Sequence, residues 1–246
     1  MNEAGLQQLL RGDYHVHSSW SDDAVSSIAE NLAAAASVGL SQLRLIDHVR
    51  TSTTWVPDFV AQVRSQPPVD GLMVLTGVEA KILDASGAID VPAGVLGVDA
   101  IVIADHQFPG TDGAWSPETT RQRLASGLAT SDAIDLLVGA LIAAMESVGS
   151  IAESGGQLAH CFSILPKVGL DEDDLSDEHL SAWAKTAAAT HTLVEVNEKW
   201  ACPGPRALAA ALAAGATLVA STDSHVASDV GRYDRVATLL AGVVTA

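Results

Sequence analysis

The sequence is poor in cysteine: Cys161 and Cys202 are the two in 246 residues. A disulfide framework is therefore not indicated, and a reduced, cytoplasmic setting fits better. It lacks any apolar run of about 18 residues, so no membrane span is predicted. The opening Met1-Asn-Glu-Ala-Gly5 lacks the basic and apolar pattern of a secretory signal. Positive charge is also scarce, with 13 Lys and Arg against 30 Asp and Glu and a net charge of −17. Nucleic-acid binding rests on neutralising phosphates with basic side chains. With no basic run, stable nucleic-acid binding is not expected, and a small substrate is favoured. Linkers, internal repeats and composition shifts are absent too. At 48% hydrophobic and 17% charged the chain is globular, and its length suits one barrel-like domain.

Apolar or β-branched runs are plentiful. Seven of them, at 12–17, 42–47, 72–80, 98–104, 157–161, 192–197 and 216–222, read as strands. Helical segments at 24–38, 131–153, 175–189 and 205–214 alternate with them, stopped at Gly39, at Gly155-Gly156 and at Gly215. Alternating strands and helices predict parallel strands with helices outside. The strands show little polar alternation, as expected when both faces are buried. The stretch 107–120 reads as the longest irregular segment, followed by the acidic 167–177.

Histidine is distributed unevenly. Six of the eight fall at predicted strand ends, with carboxylates close by: Asp13-Tyr-His15-Val-His17, Asp47-His48, Asp105-His106, His160 and Asp223-Ser-His225, with Gly77-Val-Glu79 at another end. In a parallel α/β barrel those carboxyl ends carry the active site. His15 and His17 are two apart, so on a strand they share a face, and the same holds for Asp223 and His225. A lone strand-end histidine is usually a hydrogen-bonded core residue. The convergence of all these groups at one end of one barrel is what points to metal. Imidazole and carboxylate are ligands for Zn, Mn or Fe, and nine donors (the six histidines, Glu79, Asp223 and one Asp after the first strand) exceed what one ion needs. His179 and His191 stand apart and read as structural or solvated.

The chain resembles the PHP (polymerase and histidinol phosphatase) superfamily. The likeness rests on Asp13-Tyr-His15-Val-His17-Ser-Ser-Trp-Ser-Asp22, Asp47-His48, Gly77-Val-Glu79, Gly87-Ala-Ile-Asp90, Val98–His106, His160, Glu195-Val-Asn197 and Thr222-Asp223-Ser-His225. It spans nearly the whole chain. The resemblance implies a distorted (β/α)7 barrel with two to three divalent ions at the C-terminal ends of its strands. By analogy His15, His17, Glu79 and Asp223 would hold one ion. Glu79 would bridge to a second held by His106 and His160, and Asp22, with Asp23 beside it as the alternative, would join His48 and His225 to hold the third. Asp23 stands where such relatives usually carry glycine, Ile46 where they often carry threonine, and Cys161 where proline is common. Cys161 could be a soft ligand or an inert core residue, and the core reading is favoured.

The resemblance implies a phosphoesterase in which closely spaced ions activate a water, so that no side-chain nucleophile is required. Glu79, Asp223 and His225 are the residues expected to carry catalysis. A phosphate wants a cation for its non-bridging oxygens, and Arg50 and Lys199 are the best placed, with Lys81, Lys167 and Arg232 as further candidates. Trp115 and Trp200 could wall a pocket. Asp13, two residues before His15 on the same face, is the carboxylate expected to orient a ligand ring. A small-metabolite phosphatase is the leading expectation. A 3′–5′ exonuclease or nucleotide phosphodiesterase, and a catalytically silent metal-binding module, are the alternatives. Oligomeric state is left open.

Overall fold

The computed structural model describes residues 3–93, 97–151 and 155–244. All seven predicted runs form strands: β1 (Gly12–Val16), β2 (Gln42–His48), β3 (Met73–Lys81), β4 (Ala100–Ala104), and, beyond a small hairpin of β5 (Phe108–Gly110) and β6 (Gly113–Trp115), β7 (Gly156–Ala159), β8 (Leu193–Asn197) and β9 (Leu218–Ser221). They make one sheet in the order β1-β2-β3-β4-β7-β8-β9, with every pairing parallel. Its two edges meet. Val16 bridges Ser224 in parallel, and the His17 N–H donates to the Ser224 carbonyl at 2.8 Å. The sheet is thereby nearly closed into a seven-stranded barrel.

The helices are α1 (Glu3–Leu9), α2 (Ile28–Ser37), α3 (Val56–Arg64), α4 (Pro117–Ala125), α5 (Thr130–Ile151), α6 (Ile164–Val168), α7 (Asp177–Ala189), α8 (Pro205–Ala214) and α9 (Arg235–Val244). Local chemistry sets several ends. Ser27 and Glu30 form a reciprocal capping box on α2, and Ser176 and His179 form one on α7. Pro205 opens α8, and Gly215 closes it at φ 80°. His179 is thus structural, as expected, and its Nε2 lies 2.8 Å from Asp135 Oδ1. The last two positions of the expected helix 131–153 lie outside the described residues.

Stretch 107–120 departs from expectation. It holds the β5–β6 hairpin, in which Phe108 and Trp115 stack with centroids 5.9 Å apart, and the start of α4. Helices α1, α3, α4, α6 and α9, of five to ten residues, were not expected.

Apolar residues between strands and helices form the main core, including Leu43, Leu45, Ile101, Ile103, Leu137, Leu141 and Trp183. The barrel interior is different. Ile46, Val102, Ala104 and Ala159 make a small apolar cluster there, but Arg44, Gln157 and Glu195 are buried as well. Gly77 leaves room for them: a Cβ at that position would lie 3.1 Å from Ile46 and 3.4 Å from Arg44. The inward faces are therefore partly polar, which their sparse alternation had concealed.

Candidate metal centre

Strand register assembles the site at the carboxyl end of the barrel. His48 and Glu79 are paired neighbours on β2 and β3. His15 and His17 leave the end of β1, while His106, His160 and Asp223 follow β4, β7 and β9. His160 (φ 29°) and Asp223 (φ 51°) sit in the left-handed region. Such backbone costs energy and concentrates at functional sites.

Glu79 is the hub. Its Oε1 lies 3.1 Å from His106 Nε2 and 3.2 Å from His160 Nε2. Its Oε2 lies 2.8 Å from His48 Nδ1 and 3.5 Å from Nε2 of both His15 and His17. Asp223 Oδ1 is 3.4 Å from His17 Nε2 and 3.9 Å from His15 Nε2.

Glu79 Oε2 is buried without a hydrogen bond of good geometry, and His15 Nε2 and His17 Nε2 lie only 3.0 Å apart. Ligands about 2.1 Å from one ion sit roughly 3.0–3.4 Å from each other, which is the spacing seen here. Among the described residues, three donor groups are compact enough for an ion: His15, His17 and Glu79; His48, Glu79 and His106; and His17, His48 and His225. The chemistry of the set fits divalent metal.

Charge at the site is strongly perturbed. Burial opposes ionisation of Glu79, but His106 and His15 beside it hold its carboxyl well below the usual range. Burial likewise opposes ionisation of Asp223, and His17, His15 and His160 outweigh it and lower its pKa. Burial lowers His17 to about 3, leaving the ring neutral and its lone pair available. His160 goes the other way. Burial disfavours its charge, yet Asp105 and Glu79 raise it to about 10.

Of Asp22 and Asp23, the acid beside the outer histidines is Asp23. Asp23 Oδ2 lies 3.2 Å from His225 Nε2 and 3.5 Å from His48 Nε2. Both aspartates line the cleft, but successive residues of this turn aim their side chains differently, and a count from His17 cannot decide between them.

The ring-orienting residues also differ from expectation. Asp13 does not orient the His15 ring; it accepts from the His15 backbone N–H at 3.4 Å, from the Thr222 N–H and hydroxyl and from the Gly231 N–H, tying β1 to the loop after β9. His15 Nδ1 instead meets Glu195 Oε2 at 2.9 Å. Ser21 Oγ lies 3.1 Å from His17 Nδ1 and donates to Asp47 at 2.6 Å. Ser163 Oγ lies 3.1 Å from His160 Nδ1 and donates to Asp105 at 3.1 Å. Ser21 and Ser163, three or four residues past a ligand, carried no signal of their own in the sequence.

A cleft of about 720 Å³ opens over the cluster. His48 and His106, each 34% exposed, face it, while His15 and His17 are fully buried. Its lining includes Arg50, Lys81, Lys199, Trp20, Trp55 and Trp200. Lys199 Nζ lies 3.3 Å from Asp223 Oδ2 and 3.3 Å from His225 Nδ1. Arg50 rides on a turn whose next residue, Thr51, donates its N–H and hydroxyl to Asp90 at 2.7 Å. Lys167 sits over the Trp200 ring at 3.9 Å. Arg232 lines a separate surface pocket, and Trp115 packs in the β5–β6 hairpin. Cys161 is a buried free thiol, in keeping with the core reading.

Comparison with known proteins adds to this geometry. No family model matches the chain. It is 28% identical over 238 residues to a probable phosphatase of Shewanella sp. (strain ANA-3), covering 94% of this chain and 82% of that protein. Over a shorter stretch of 97 residues it is 33% identical to a probable phosphatase of Thermoanaerobacter sp. (strain X514), covering 37% of this chain and 38% of the relative. Barrel, site and sequence relatives together support a PHP-like phosphoesterase, a hydrolase of phosphate esters. The fold is also that of histidinol phosphate phosphatase from Lactococcus lactis subsp. lactis Il1403, solved with Zn, L-histidinol and phosphate. That likeness has a TM-score of 0.60 at 14% identity, over 95% of this chain and 92% of that one.

Proposed function

We propose that this chain is a metal-dependent phosphatase of small phosphorylated metabolites, similar in chemistry to histidinol phosphatase, with two to three ions of Zn, Mn or Fe. The observation that carries the reading is the division of Glu79 between two sets of imidazoles. His15, His17, Glu79 and Asp223 would hold one ion, and Glu79, His106 and His160 a second. His48, His225 and Asp23 would hold the third. When bound, such ions activate water and polarise a phosphoryl oxygen.

The chain's own residues supply the rest. Arg50 and Lys199 take the non-bridging oxygens of the phosphate as charge-assisted donors. Lys199 must release Asp223, its partner at 3.3 Å, to do so. Trp20, Trp55 and Trp200 line the cleft and shield the leaving group from water. The acidic surface, with a net charge of −17, disfavours polynucleotide. Cytoplasmic residence is consistent with two buried free thiols.

Assay of the metal-loaded protein against a panel of phosphomonoesters and short single-stranded DNA tests this reading. Phosphomonoester hydrolysis with a strong preference over DNA is expected. Degradation of oligonucleotide with every phosphomonoester untouched would overturn it in favour of an exonuclease.

A further inference from the structure

A chain of buried polar groups runs through the barrel interior and ends on one ring of the cluster. Arg44, 6% exposed, enters from β2 and donates through Nη1 to Gln157 Oε1 on β7. Gln157 Nε2 donates to the Tyr14 carbonyl at 3.1 Å and to Glu195 Oε2 at 2.7 Å. Glu195, fully buried on β8, meets His15 Nδ1 at 2.9 Å with that same oxygen. Its other oxygen accepts the His160 N–H at 3.1 Å and Asn197 Nδ2 at 2.6 Å. The orientation of Asn197 is set in turn by the Trp200 N–H, which donates to its Oδ1 at 2.8 Å.

Each link has one polarity. A guanidinium only donates, so the Gln157 atom facing it must be the carbonyl oxygen, and the amide nitrogen must face Glu195. The Tyr14 carbonyl, which only accepts, demands the same orientation. Glu195 then receives donors from Gln157, His160 and Asn197, leaving its carboxylate as an acceptor toward His15. His15 must carry its proton on Nδ1. Its Nε2 lone pair is thereby aimed at His17 Nε2, 3.0 Å away, and at the Glu79 side of the cluster.

We propose that Arg44, Gln157 and Glu195 are positioning residues that lock the Nδ1–H tautomer of His15 and so prepare Nε2 as a metal donor. This rests on the metal-centre reading above and extends it to residues that touch no ion. Groups that fix the tautomer of a ligating histidine commonly change metal affinity 10–100-fold when removed. Arg44 acts at two removes, through Gln157 and Glu195.

Two measurements test the proposal. Long-range ¹H–¹⁵N spectra of ¹⁵N-histidine-labelled, chelated protein, taken at a pH high enough to leave the His15 ring with a single proton, should show Nδ1 as the protonated, pyrrole-type nitrogen. A pyridine-type Nδ1 overturns the proposal without reference to any variant. Glu195→Gln puts a donor among donors, and Arg44→Met removes the anchoring cation. Competition for Zn²⁺ against a chromophoric chelator should show the tightest site weakened about 10–100-fold in Glu195→Gln and by a smaller factor in Arg44→Met. Affinity unchanged within about threefold in a folded Glu195→Gln, judged by circular dichroism, overturns it. If the parent protein takes up no Zn²⁺, it is the metal-centre reading that fails, while the tautomer spectrum still decides the positioning chain.

Discussion

At the scale of single residues, one carboxylate does more than its neighbours. Glu79 faces five imidazoles, two through one oxygen and three through the other. Glu79→Gln keeps the volume but removes the charge that would hold two dications together. Turnover of phosphomonoester should drop by several orders of magnitude, bound metal should fall, and the far-UV circular dichroism should be retained. Activity within about tenfold of the parent, ~1.4 kcal/mol of barrier, rules out a bridging role. The pair Asp22 and Asp23 offers a second comparison. Asp23 lies 3.2 Å from His225, so Asp23→Asn should cut activity and metal content, whereas Asp22→Asn should leave both nearly unchanged. The reverse pattern would restore Asp22 as the ligand.

At the scale of elements, the loops after the strands matter most, and they are anchored by backbone geometry. Gly87, at φ 76°, turns the chain after β3 against α5. A Cβ there would lie 2.6 Å from the Ala144 nitrogen and 2.8 Å from the Ala140 carbonyl oxygen. Gly87→Ala combines left-handed strain with overpacking, and about 2–4 kcal/mol of lost stability is expected. Chemical denaturation would measure it, and a loss under about 0.5 kcal/mol, the range of an ordinary surface change, would show that the turn yields freely. The helices were legible where caps and glycine stops framed a long segment, as in α2, α7 and α8. Short helices such as α6 owe their form to packing on the barrel.

The whole molecule gathers six imidazoles and several buried carboxylates, which makes its metal-free stability depend on pH. His160 is raised to about 10, against burial, by Asp105 and Glu79. His15 and His48 are also raised, burial again opposing, by Glu195 and Glu79 respectively. A histidine whose folded pKa lies above its unfolded value adds stability that is complete below about 6.5 and is lost as pH rises through the folded value. Burial raises Asp13 and Asp47 to about 6, and their cost is already in full above that pH. His17, lowered to about 3 by burial, costs stability only while its unfolded ring is charged, so it offsets part of the loss just above pH 6.5 and none of it above about 7.5. Melting of the chelated protein should therefore shift to lower temperature between pH 6.5 and 9.5. A flat or rising profile would show that these rings are not charged in the metal-free fold.

Apolar runs alternating with helical segments, and the signals at their ends, were sufficient for the seven parallel strands, because such strands bury their outward faces against the helices between them. Clustering of His15, His17, His48, His106, His160 and Asp223 at strand ends was equally visible, since a parallel barrel brings all those ends to one rim. Tertiary structure alone decided which acid faces His225, which carboxylate serves His15, and which cations reach the cleft. Asp23, Glu195 and Lys199 meet partners 202, 180 and 24 residues away along the chain. Hydrogen-bond direction and side-chain aim across such separations are set by barrel closure and strand register, and no local pattern records them.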